Sequence, residues 1–576
     1  MSARSEWVVT AGLRPELFAW SGERSISRTL LIAALTLLVL SGFGLRARGL
    51  GAEGLSEDEF NKLSAVGDYR AHGLTAANGE HPLLMKALET ASIIIAEKWN
   101  QTSLATSHPA ACRVSVEAAL RLPSTIFGAL TVVVLYLVAA ELFGGEIALI
   151  TAALWAIDPT AISFNRIAKE DTFLLFFFLL ANVFWLRSQR VAESESGNPL
   201  PYYWATAASF GAMLASKYMP HLLAISVSYY HIFQGVKESR WRLGKRRFLI
   251  FIAVMCTAFV LCNLTILLPG TWRQMLTFAS YKRLGHDSYE FMGRLYSHKL
   301  MDWFKGVPWY FYFVFMAVKL PLPTLAAFLL GLPQTFRRKL GDGRFFLLFW
   351  TIIGFLPFVF VGGKFTRYLT PFWPVVLITA AIGVQFAGRA IGRWWTTLKG
   401  LRQASRYMPA ALAALVLLSS LWVSLSVAPY YRLYTNLLGG GARRAGDYFP
   451  QDEFYDAYMR GLMSEIARRA RAGARVASET PTLAAYYAER AGRPDLNCVS
   501  LSDPAALREF AEGDFLIIAR GRTYFSNSAL VSALHQSNAP AFRVSLGSVP
   551  AAEVYALDQS RLPLISSMMG RPEGSR

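Results

Sequence analysis

Long apolar blocks alternate with short polar segments along most of the chain. Clear blocks cover residues 32–44, 120–142, 172–186, 248–268 and 410–427. A helix needs about 20 mostly apolar residues to cross a hydrocarbon core of ~30 Å, and counting such stretches predicts about eleven transmembrane helices. They are expected near residues 29–47, 118–141, 145–162, 171–187, 202–217, 219–235, 247–268, 307–331, 345–361, 371–389 and 408–428. The pattern therefore predicts a polytopic α-helical membrane protein.

Lys and Arg residues gather between these blocks, in segments 237–247, 337–344 and 388–406. Cytoplasmic loops carry such an excess of positive charge, and all three segments fall inside if the N-terminus is cytoplasmic. The predicted organisation is a cytoplasmic segment 1–28, a transmembrane domain 29–428 with an external loop 48–117, and an extracytoplasmic domain 429–576. No small-residue cleavage site follows the first apolar block, so we expect a retained anchor in the cell membrane.

The periodicity changes outside the predicted spans. After Pro82, apolar residues recur at helical spacing as far as Ile95, which predicts an amphipathic helix able to lie at the membrane interface. Beyond residue 429, apolar runs at 474–477 and 515–519 favour strands, whereas 482–490 and 504–511 favour helices. This alternation predicts a small C-terminal α/β domain on the non-cytoplasmic side.

Composition narrows the class of protein. Only 17% of residues are charged, below the ~25% usual in soluble domains. The net charge of +19 could attract nucleic acid, but the basic residues concentrate in the predicted cytoplasmic segments and no nucleic-acid-binding motif accompanies them. We therefore expect no nucleic-acid partner. The four cysteines show no spacing typical of a zinc site, so no metal site is predicted.

Charged residues at the outer ends of apolar spans are the candidates for chemistry, because charges at a membrane are costly without a function. They form four groups: Asp58 and Glu59; His81, Pro82 and Lys86; Arg166, Lys169, Glu170 and Asp171; and Lys364, Arg367 and Tyr368. The first two groups also fit a solvated acidic turn and a proline at a helix start. Lys217 and His286 are further candidates, although Lys217 also fits a side chain reaching for the interface and His286 a polar loop residue. The stretch 447–458, rich in acids and tyrosines, either contacts an acceptor or packs on the core.

These residue types suit transfer of a group from a lipid phosphate. A carboxylate can take the proton from an acceptor hydroxyl, and cations can neutralise the phosphate as it leaves, Arg with bidentate geometry. A divalent cation could bridge carboxylate and phosphate, although no ligand spacing requires one. The residues by themselves indicate acid–base and phosphate-binding groups on one face of a membrane.

The same segments resemble the protein O-mannosyltransferase group of the GT-C superfamily. The resemblance runs in order through DE at 58–59, HPLLMK at 81–86, NRIAKED at 165–171, the segment 292–323, KFTRYLTPFWP at 364–374 and YYRLYTNLLGGG at 430–441. It implies a GT-C fold and a polyprenyl-phosphate sugar donor, with the sugar transferred by inversion in one displacement. Asp58 matches the catalytic base, with Glu59 beside it.

The resemblance also implies roles for the other groups. Arg166, Lys169, Glu170 and Asp171 match a turn that shapes the donor or acceptor pocket, and Arg367, with Lys364 and Tyr368, stands where a phosphate-binding cation is expected. His81, Pro82 and Lys86 match the family's HPPLGK stretch, although Leu83 replaces its second proline and Met85 its glycine.

Several alternatives remain open for the acceptor and the class of protein. Mannose transfer to protein Ser or Thr is the first hypothesis. Loop 269–306 is too short for the β-trefoil module of eukaryotic members, so a lipid or cell-wall glycan acceptor, as in the lipid A aminoarabinose transferases, is the second. A secondary transporter is the alternative of another class, but transporters usually show internal repeats, and this sequence shows none. A receptor or scaffold would leave the external charged groups unexplained.

Overall fold

The computed structural model describes residues 19–20, 24–25, 27–193, 197–233, 244–280, 286–300, 302–399, 407–536 and 539–558. Most of these residues are helical. In chain order the helices are α1 Arg28–Ala47, α2 Glu57–His72, α3 Leu83–Asn100, α4 Ser103–Ser107, α5 Pro109–Cys112, α6 Val116–Phe143, α7 Gly145–Ile157, α8 Pro159–Asn165, α9 Glu170–Glu193, α10 Leu200–Ser216, α11 Leu223–Phe233, α12 Lys245–Cys262, α13 Pro269–Ser280, α14 Phe311–Lys319, α15 Leu322–Gly331, α16 Gly343–Gly354, α17 Leu356–Phe360, α18 Trp373–Lys399, α19 Met408–Val427, α20 Pro450–Phe454, α21 Met459–Arg469, α22 Pro481–Arg490, α23 Pro504–Leu507 and α24 Ser528–Gln536.

The strands are short and lie mainly near the C-terminus. They are β1 Ala19–Trp20, β2 Arg24–Ser25, β3 Ser288–Phe291, β4 Arg294–Ser297, β5 Arg475–Ser478, β6 Asn497–Ser500, β7 Phe515–Ala519, β8 Phe542–Leu546 and β9 Val549–Ala556.

Helices coincide with every one of the predicted spans, but they differ in length. Among the described residues, six helical stretches are long and apolar enough to cross a membrane: Arg28–Ala47, Pro109–Phe143, Glu170–Ala192, Gly343–Phe360, Trp373–Thr397 and Met408–Val427. Helices α7 and α8, which meet at an angle of 61°, make a seventh if they form one span. Elsewhere the helices are short or broken, as at Pro321 between α14 and α15. The protein is a multi-pass α-helical membrane protein, and the number of eleven spans stays a prediction.

Close helix packing builds the core of the bundle. A Cβ atom on Gly331 of α15 would lie 1.9 Å from the Thr379 carbonyl oxygen of α18, and one on Gly383 would lie 1.8 Å from that of Ala327. Without side chains at these two positions the backbones of α15 and α18 approach closely, as small residues allow in membranes. Trp155, Trp350 and Trp373 are fully buried around this bundle.

The first loop, which the sequence predicts to be external, folds into helices rather than an extended linker. Helix α3 begins directly after Pro82, as the apolar spacing predicts, and buries Leu83, Met85 and Ile93 on one side. Proline has no backbone N–H to leave unpaired and is therefore favoured at a helix start. Helix α2 precedes it and carries the DE pair in its first turn.

The C-terminal region contains the predicted α/β unit. Its sheet has the strand order β6-β5-β7-β9-β8, in which β5 pairs in parallel with β6 and β7, and β9 is antiparallel to β7 and β8. The two predicted strands are β5 and β7, and the helix predicted at 504–511 ends earlier, at Leu507. The sheet begins at Arg475, and the preceding segment from Tyr430 packs against the helical bundle, so the domain boundary at 429 stays a prediction.

Candidate active site

The first turn of α2 presents adjacent carboxylates at one end of the helical bundle. Ser56 Oγ accepts a hydrogen bond from the Glu59 amide at 3.1 Å, and Glu59 Oε2 accepts one from the Ser56 amide at 3.0 Å. This reciprocal capping box fixes where the helix begins. The acidic first turn is also favoured by the positive end of the helix dipole. The sequence thus places Asp58 in a defined turn.

Asp58 is a carboxylate surrounded by cations. Its Oδ2 lies 2.9 Å from Lys169 Nζ and 3.2 Å from Arg367 Nη2, and it accepts a hydrogen bond from the Tyr455 hydroxyl at 3.2 Å. The side chain remains 37% exposed. Burial by itself raises the pKa of Asp58, but Lys169 and Arg367 outweigh burial and hold this pKa well below its usual range. Asp58 is therefore ionised at neutral pH.

Glu59 occupies the opposite environment. It is fully buried, and its two oxygens accept from Nε and Nη2 of Arg121 on α6, both at 2.7 Å. Glu59 Oε1 also accepts from the Ala168 amide at 3.0 Å. These contacts occupy both oxygens, so Glu59 joins α2 to α6 and to the turn before α9. Of the two adjacent carboxylates, Asp58 is therefore the one that faces open space.

The turn between α8 and α9 supplies the next ring of charges. Glu170 Oε1 lies 2.8 Å from Lys62 Nζ and 3.3 Å from His81 Nδ1. The next residue, Asp171, lies 2.6 Å from Lys217 Nζ, and that ammonium stands 5.3 Å from the Tyr368 ring centroid. The structure therefore brings His81, Lys169, Glu170, Asp171, Lys217, Arg367 and Tyr368 into one network around Asp58.

Three other predicted cations bind backbone carbonyls instead. Lys86 Nζ donates to the carbonyls of Asn78 at 2.7 Å and His81 at 3.0 Å. Arg166 donates to the carbonyls of Arg48 and Gly49 at 2.7 and 3.0 Å, and Lys364 to that of Val307 at 2.6 Å. All three are buried, and Lys86 lies in the first turn of α3. Their contacts hold the loops that carry the ionic network, and we propose positioning roles for them.

Several residues of the site were not assigned from the sequence. Lys62 lies one helical turn after the DE pair, and this spacing indicates that its side chain lies on the same face of the helix as Asp58. Asp452 accepts from the Tyr289 hydroxyl at 2.7 Å and the Thr366 amide at 2.8 Å. Tyr455, which contacts Asp58, has a left-handed φ of 47°. Asp452 and Tyr455 both belong to the stretch 447–458, and the contact of Tyr455 with Asp58 places this stretch beside Asp58.

A cavity of about 450 Å³, a volume that includes open solvent at its mouth, lies next to residues that surround Asp58. Arg367 and Tyr455, which both contact Asp58, form part of its wall, and Thr160 and Ser163 add hydroxyl groups. Arg432 also borders it and pairs with Glu53 at 2.7 Å, whereas its Nε has no hydrogen-bond partner in the described part of the chain. The lining of the cavity is therefore partly polar.

His286 lies beside the site in a separate cluster. Its ring stacks on Tyr524 with centroids 4.0 Å apart and planes at 9°, and its Nε2 lies 3.5 Å from Glu57 Oε2. Tyr281, which the sequence places in the same loop, falls outside the described residues. Within the described ranges, no group of three or more His, Cys, Asp or Glu side chains is arranged to hold a metal ion.

Comparison with known proteins bears on these features. Residues 110–265, roughly a quarter of the chain, match the family model of dolichyl-phosphate-mannose-protein mannosyltransferases. No curated protein matches the sequence. The family match confirms the resemblance that the sequence motifs carry.

Similar solved structures have low sequence identity. ArnT from Cupriavidus metallidurans bound to undecaprenyl phosphate has a TM-score of 0.48 and 13% identity, over 92% of this chain and 98% of that one. The oligosaccharyltransferase of Archaeoglobus fulgidus tethered to an acceptor peptide has 0.46 and 11%, over 86% and 69%. The Pmt1-Pmt2 protein O-mannosyltransferase complex of S. cerevisiae bound to the sugar donor has 0.29 and 17%, over 44% and 34%.

Proposed function

We propose that this membrane glycosyltransferase of the GT-C superfamily moves a sugar from a polyprenyl-phosphate donor to an acceptor hydroxyl, with Asp58 as general base. The observation that carries the proposal is an exposed, ionised carboxylate that lies between Lys169 and Arg367, with Arg367 and Tyr455 also lining a nearby cavity. A base and phosphate-binding cations in direct contact are what a single displacement at a glycosyl phosphate requires.

The bond changes of the proposed reaction balance without a further reactant. The acceptor oxygen forms a bond to the anomeric carbon as the bond between that carbon and the phosphate oxygen breaks. The acceptor proton passes to Asp58, and the sugar leaves behind a polyprenyl phosphate with one additional negative charge. Lys169, Arg367 and Lys217 are placed to stabilise that charge, with Lys62 and His81 around them.

The resting ion pairs explain how a weakly basic carboxylate becomes a base. Without donor, Lys169 and Arg367 neutralise Asp58 and depress its pKa. A bound phosphate shares both cations, so their hold on Asp58 weakens and its pKa rises toward the ordinary value. Asp58 thus becomes a better proton acceptor when the donor is in place.

The cavity bounded by Arg367 and Tyr455 is proposed to receive the acceptor hydroxyl. A hydroxyl at this wall lies on the side of Arg367 and Tyr455, which both contact Asp58. Inversion at the anomeric carbon follows from the proposed single displacement, because the acceptor oxygen attacks the face of that carbon opposite the leaving phosphate. Glu59 acts by positioning α2, because Arg121 occupies its oxygens.

Mannose and protein Ser or Thr are the proposed sugar and acceptor. The description of the matched family model supports both. A lipid or cell-wall glycan acceptor is the second candidate. It is favoured by the short loop before α14, since a loop of this length cannot hold the β-trefoil module of eukaryotic protein O-mannosyltransferases. The helices and strands among its described residues are α13 and the β3–β4 hairpin.

The experiment that tests the proposal uses purified protein in lipid nanodiscs with radiolabelled polyprenyl-phosphate mannose. Ser/Thr peptides, lipid A and glycan acceptors are offered separately, with and without EDTA to reveal any divalent cation. We expect label to move to one acceptor class, and Asp58→Asn to lower kcat by about 10²–10⁴-fold, the usual contribution of a general base. Asp68→Asn, the same change further along α2 at a side chain that is likewise 37% exposed, is the matched control and should retain full activity.

Each outcome separates one part of the proposal from another. Equal transfer by wild type and Asp58→Asn would remove Asp58 as the base and leave the transferase assignment intact. Transfer to lipid A or glycan but not to peptide would establish the second candidate. Absence of both transfer and binding of any polyprenyl-phosphate sugar would overturn the proposed function.

A further inference from the structure

Arg522 joins the C-terminal sheet unit to the first turn of α2. It follows the end of β7 by three residues, and only 11% of its side chain is exposed. Its Nε donates to Asp456 Oδ1 at 2.8 Å and its Nη2 to Asp456 Oδ2. Its Nη1 donates to Glu57 Oε2 at 3.1 Å and to His286 Nε2 at 2.9 Å. We call these four residues the Arg522 cluster.

The cluster bears directly on the turn that carries Asp58. Asp456 Oδ2 also accepts a hydrogen bond from the Glu57 backbone amide at 3.1 Å. That amide is among the first N–H groups of α2, which have no partner within the helix. Arg522 therefore fixes Glu57 through both its side chain and its backbone, one residue before Asp58.

The cluster also fixes the tyrosine that contacts Asp58. Tyr455 precedes Asp456, and both have left-handed φ angles, 47° and 56°. Such angles cost free energy for residues with a side chain and persist only where surrounding contacts enforce them. Arg522 supplies two hydrogen bonds to Asp456, and the Tyr458 hydroxyl adds one at 3.2 Å. The Tyr455 hydroxyl then reaches Asp58 at 3.2 Å.

We propose that Arg522 is a positioning residue for the transfer reaction. By binding both Glu57 and Asp456, it holds Asp58 in contact with Tyr455. This inference rests on the proposed function. Arg522 contacts neither Lys169 nor Arg367 in the described structure, so it acts on the geometry of the base and not on the cations that meet the phosphate. The C-terminal unit thereby contributes to turnover through a contact with α2.

The planar guanidinium is needed for this role. It donates to two carboxylates and a histidine at once, in a fork that the single ammonium of Lys cannot reproduce. Arg522→Lys keeps the charge and one of these contacts, whereas Arg522→Gln removes the charge. We expect the order of turnover to be wild type, then Arg522→Lys, then Arg522→Gln.

The test measures kcat, the KM for donor and binding of polyprenyl phosphate in nanodiscs. Since a displacement of ~1 Å at a reacting group can cost about 10²-fold, we expect Arg522→Gln to lower kcat by about tenfold to a hundredfold. Donor KM and phosphate affinity should be unchanged. Arg543→Gln in the same unit, whose side chain is 61% exposed and pairs with Glu553, is the matched control and should behave as wild type.

Hydrogen exchange of the amides at residues 57–59 gives a readout independent of transfer. Faster exchange in Arg522→Gln, but not in Arg543→Gln, supports the proposal. If the wild type also transfers no sugar, the proposed reaction is wrong, but the contact between the C-terminal unit and α2 still positions the first turn of α2. Asp456→Asn combined with Arg522→Gln should lose no more than the stronger single variant, because the two residues act as a unit.

Two results would overturn the inference. One is unchanged kcat in Arg522→Gln with only a lower Tm, which would make Arg522 an anchor of the sheet unit without effect on the base. The other is unchanged exchange at residues 57–59 in Arg522→Gln, which would show that the cluster does not hold the first turn of α2.

Discussion

Asp58 and Glu59 are neighbours in the sequence but have opposite environments. Successive side chains on a helix point about 100° apart, so Glu59 turns toward Arg121 inside the bundle while Asp58 turns toward Lys169 and the open side. A buried ion pair with one partner removed leaves a costly unpaired charge. We therefore expect changes at Glu59 to act mainly on folding and changes at Asp58 mainly on turnover.

The pH dependence of activity should report the ion pairs of Asp58. Its pKa in the free protein is lowered, so it is ionised at and above the ordinary Asp value of about 3.9. As the pH falls, kcat/KM, which reflects the free enzyme, should therefore begin to decrease only below that value. With donor bound, the phosphate shares Lys169 and Arg367, the pKa rises, and the acid limb of kcat should lie at higher pH. Identical acid limbs in the two profiles would contradict this exchange of partners.

Substitutions of the cations should fall into two classes according to their effect on the affinity for a lipid phosphate. Lys169 and Arg367 face Asp58, whereas Lys364 donates to backbone carbonyls. Charge-assisted hydrogen bonds contribute about 1.5–3 kcal/mol, so Arg367→Ala and Lys169→Ala should each weaken binding of undecaprenyl phosphate by about tenfold to a hundredfold. Lys364→Met should lower Tm and leave the Kd unchanged. Titration calorimetry distinguishes the two classes, and a large change in Kd for Lys364→Met would show that this residue meets the phosphate.

At the scale of the element, helix α2 is positioned mainly from its N-terminus. Ser56 and Glu59 form the capping box, and Asp456 satisfies the amide of Glu57. Helix ends carry unpaired amides that a cap must satisfy, so the identity of the cap decides where the first turn, and with it Asp58, comes to lie.

Replacing the cap should lower both stability and activity. Ser56→Ala removes the side-chain acceptor for the Glu59 amide, and the loss of such a cap costs about 0.5–2 kcal/mol. We expect a lower Tm and a lower kcat, because the same turn carries Asp58. Ser56→Thr keeps the acceptor and should lie close to wild type in thermal unfolding and transfer assays. Equal losses in the two variants would mean that packing, and not the cap, matters at this position.

At the scale of the whole molecule, residues far apart in the chain meet at one end of the helical bundle. The hydroxyl of Tyr455 and the carboxylate of Asp58 are separated by 397 positions, and Arg522 and Glu57 by 465. The first loop, the β3–β4 hairpin and the C-terminal unit therefore lie on the same side of the bundle. The positive segments between the spans favour the cytoplasm for the opposite side.

Orientation can be tested by labelling introduced cysteines in a variant without the four natural ones. Arg508→Cys lies at an exposed position of the C-terminal unit, and Lys339→Cys at an exposed position of the predicted cytoplasmic segment 337–344. A membrane-impermeant thiol reagent should label the first in intact cells and the second only after permeabilisation. The reverse pattern would place the proposed active site in the cytoplasm.

Membrane class and the position of the helices followed from the sequence, because a helix satisfies its own backbone hydrogen bonds and its apolar length is a local property. Asp58, Lys169 and Arg367 were predicted from their ordered motifs, and the structure brings them together. Their catalytic roles stay proposals.

Only the tertiary structure decided which charges meet. Lys86, Arg166 and Lys364 look like Lys169 and Arg367 in the sequence, yet they bind carbonyls. Tyr455 and Arg522 carry no signal that links them to α2. Pairing of side chains across hundreds of residues depends on how the helices and the C-terminal unit pack, and burial then fixes which partner each charge must find. That packing is a property of the whole fold, which no local pattern along the chain contains.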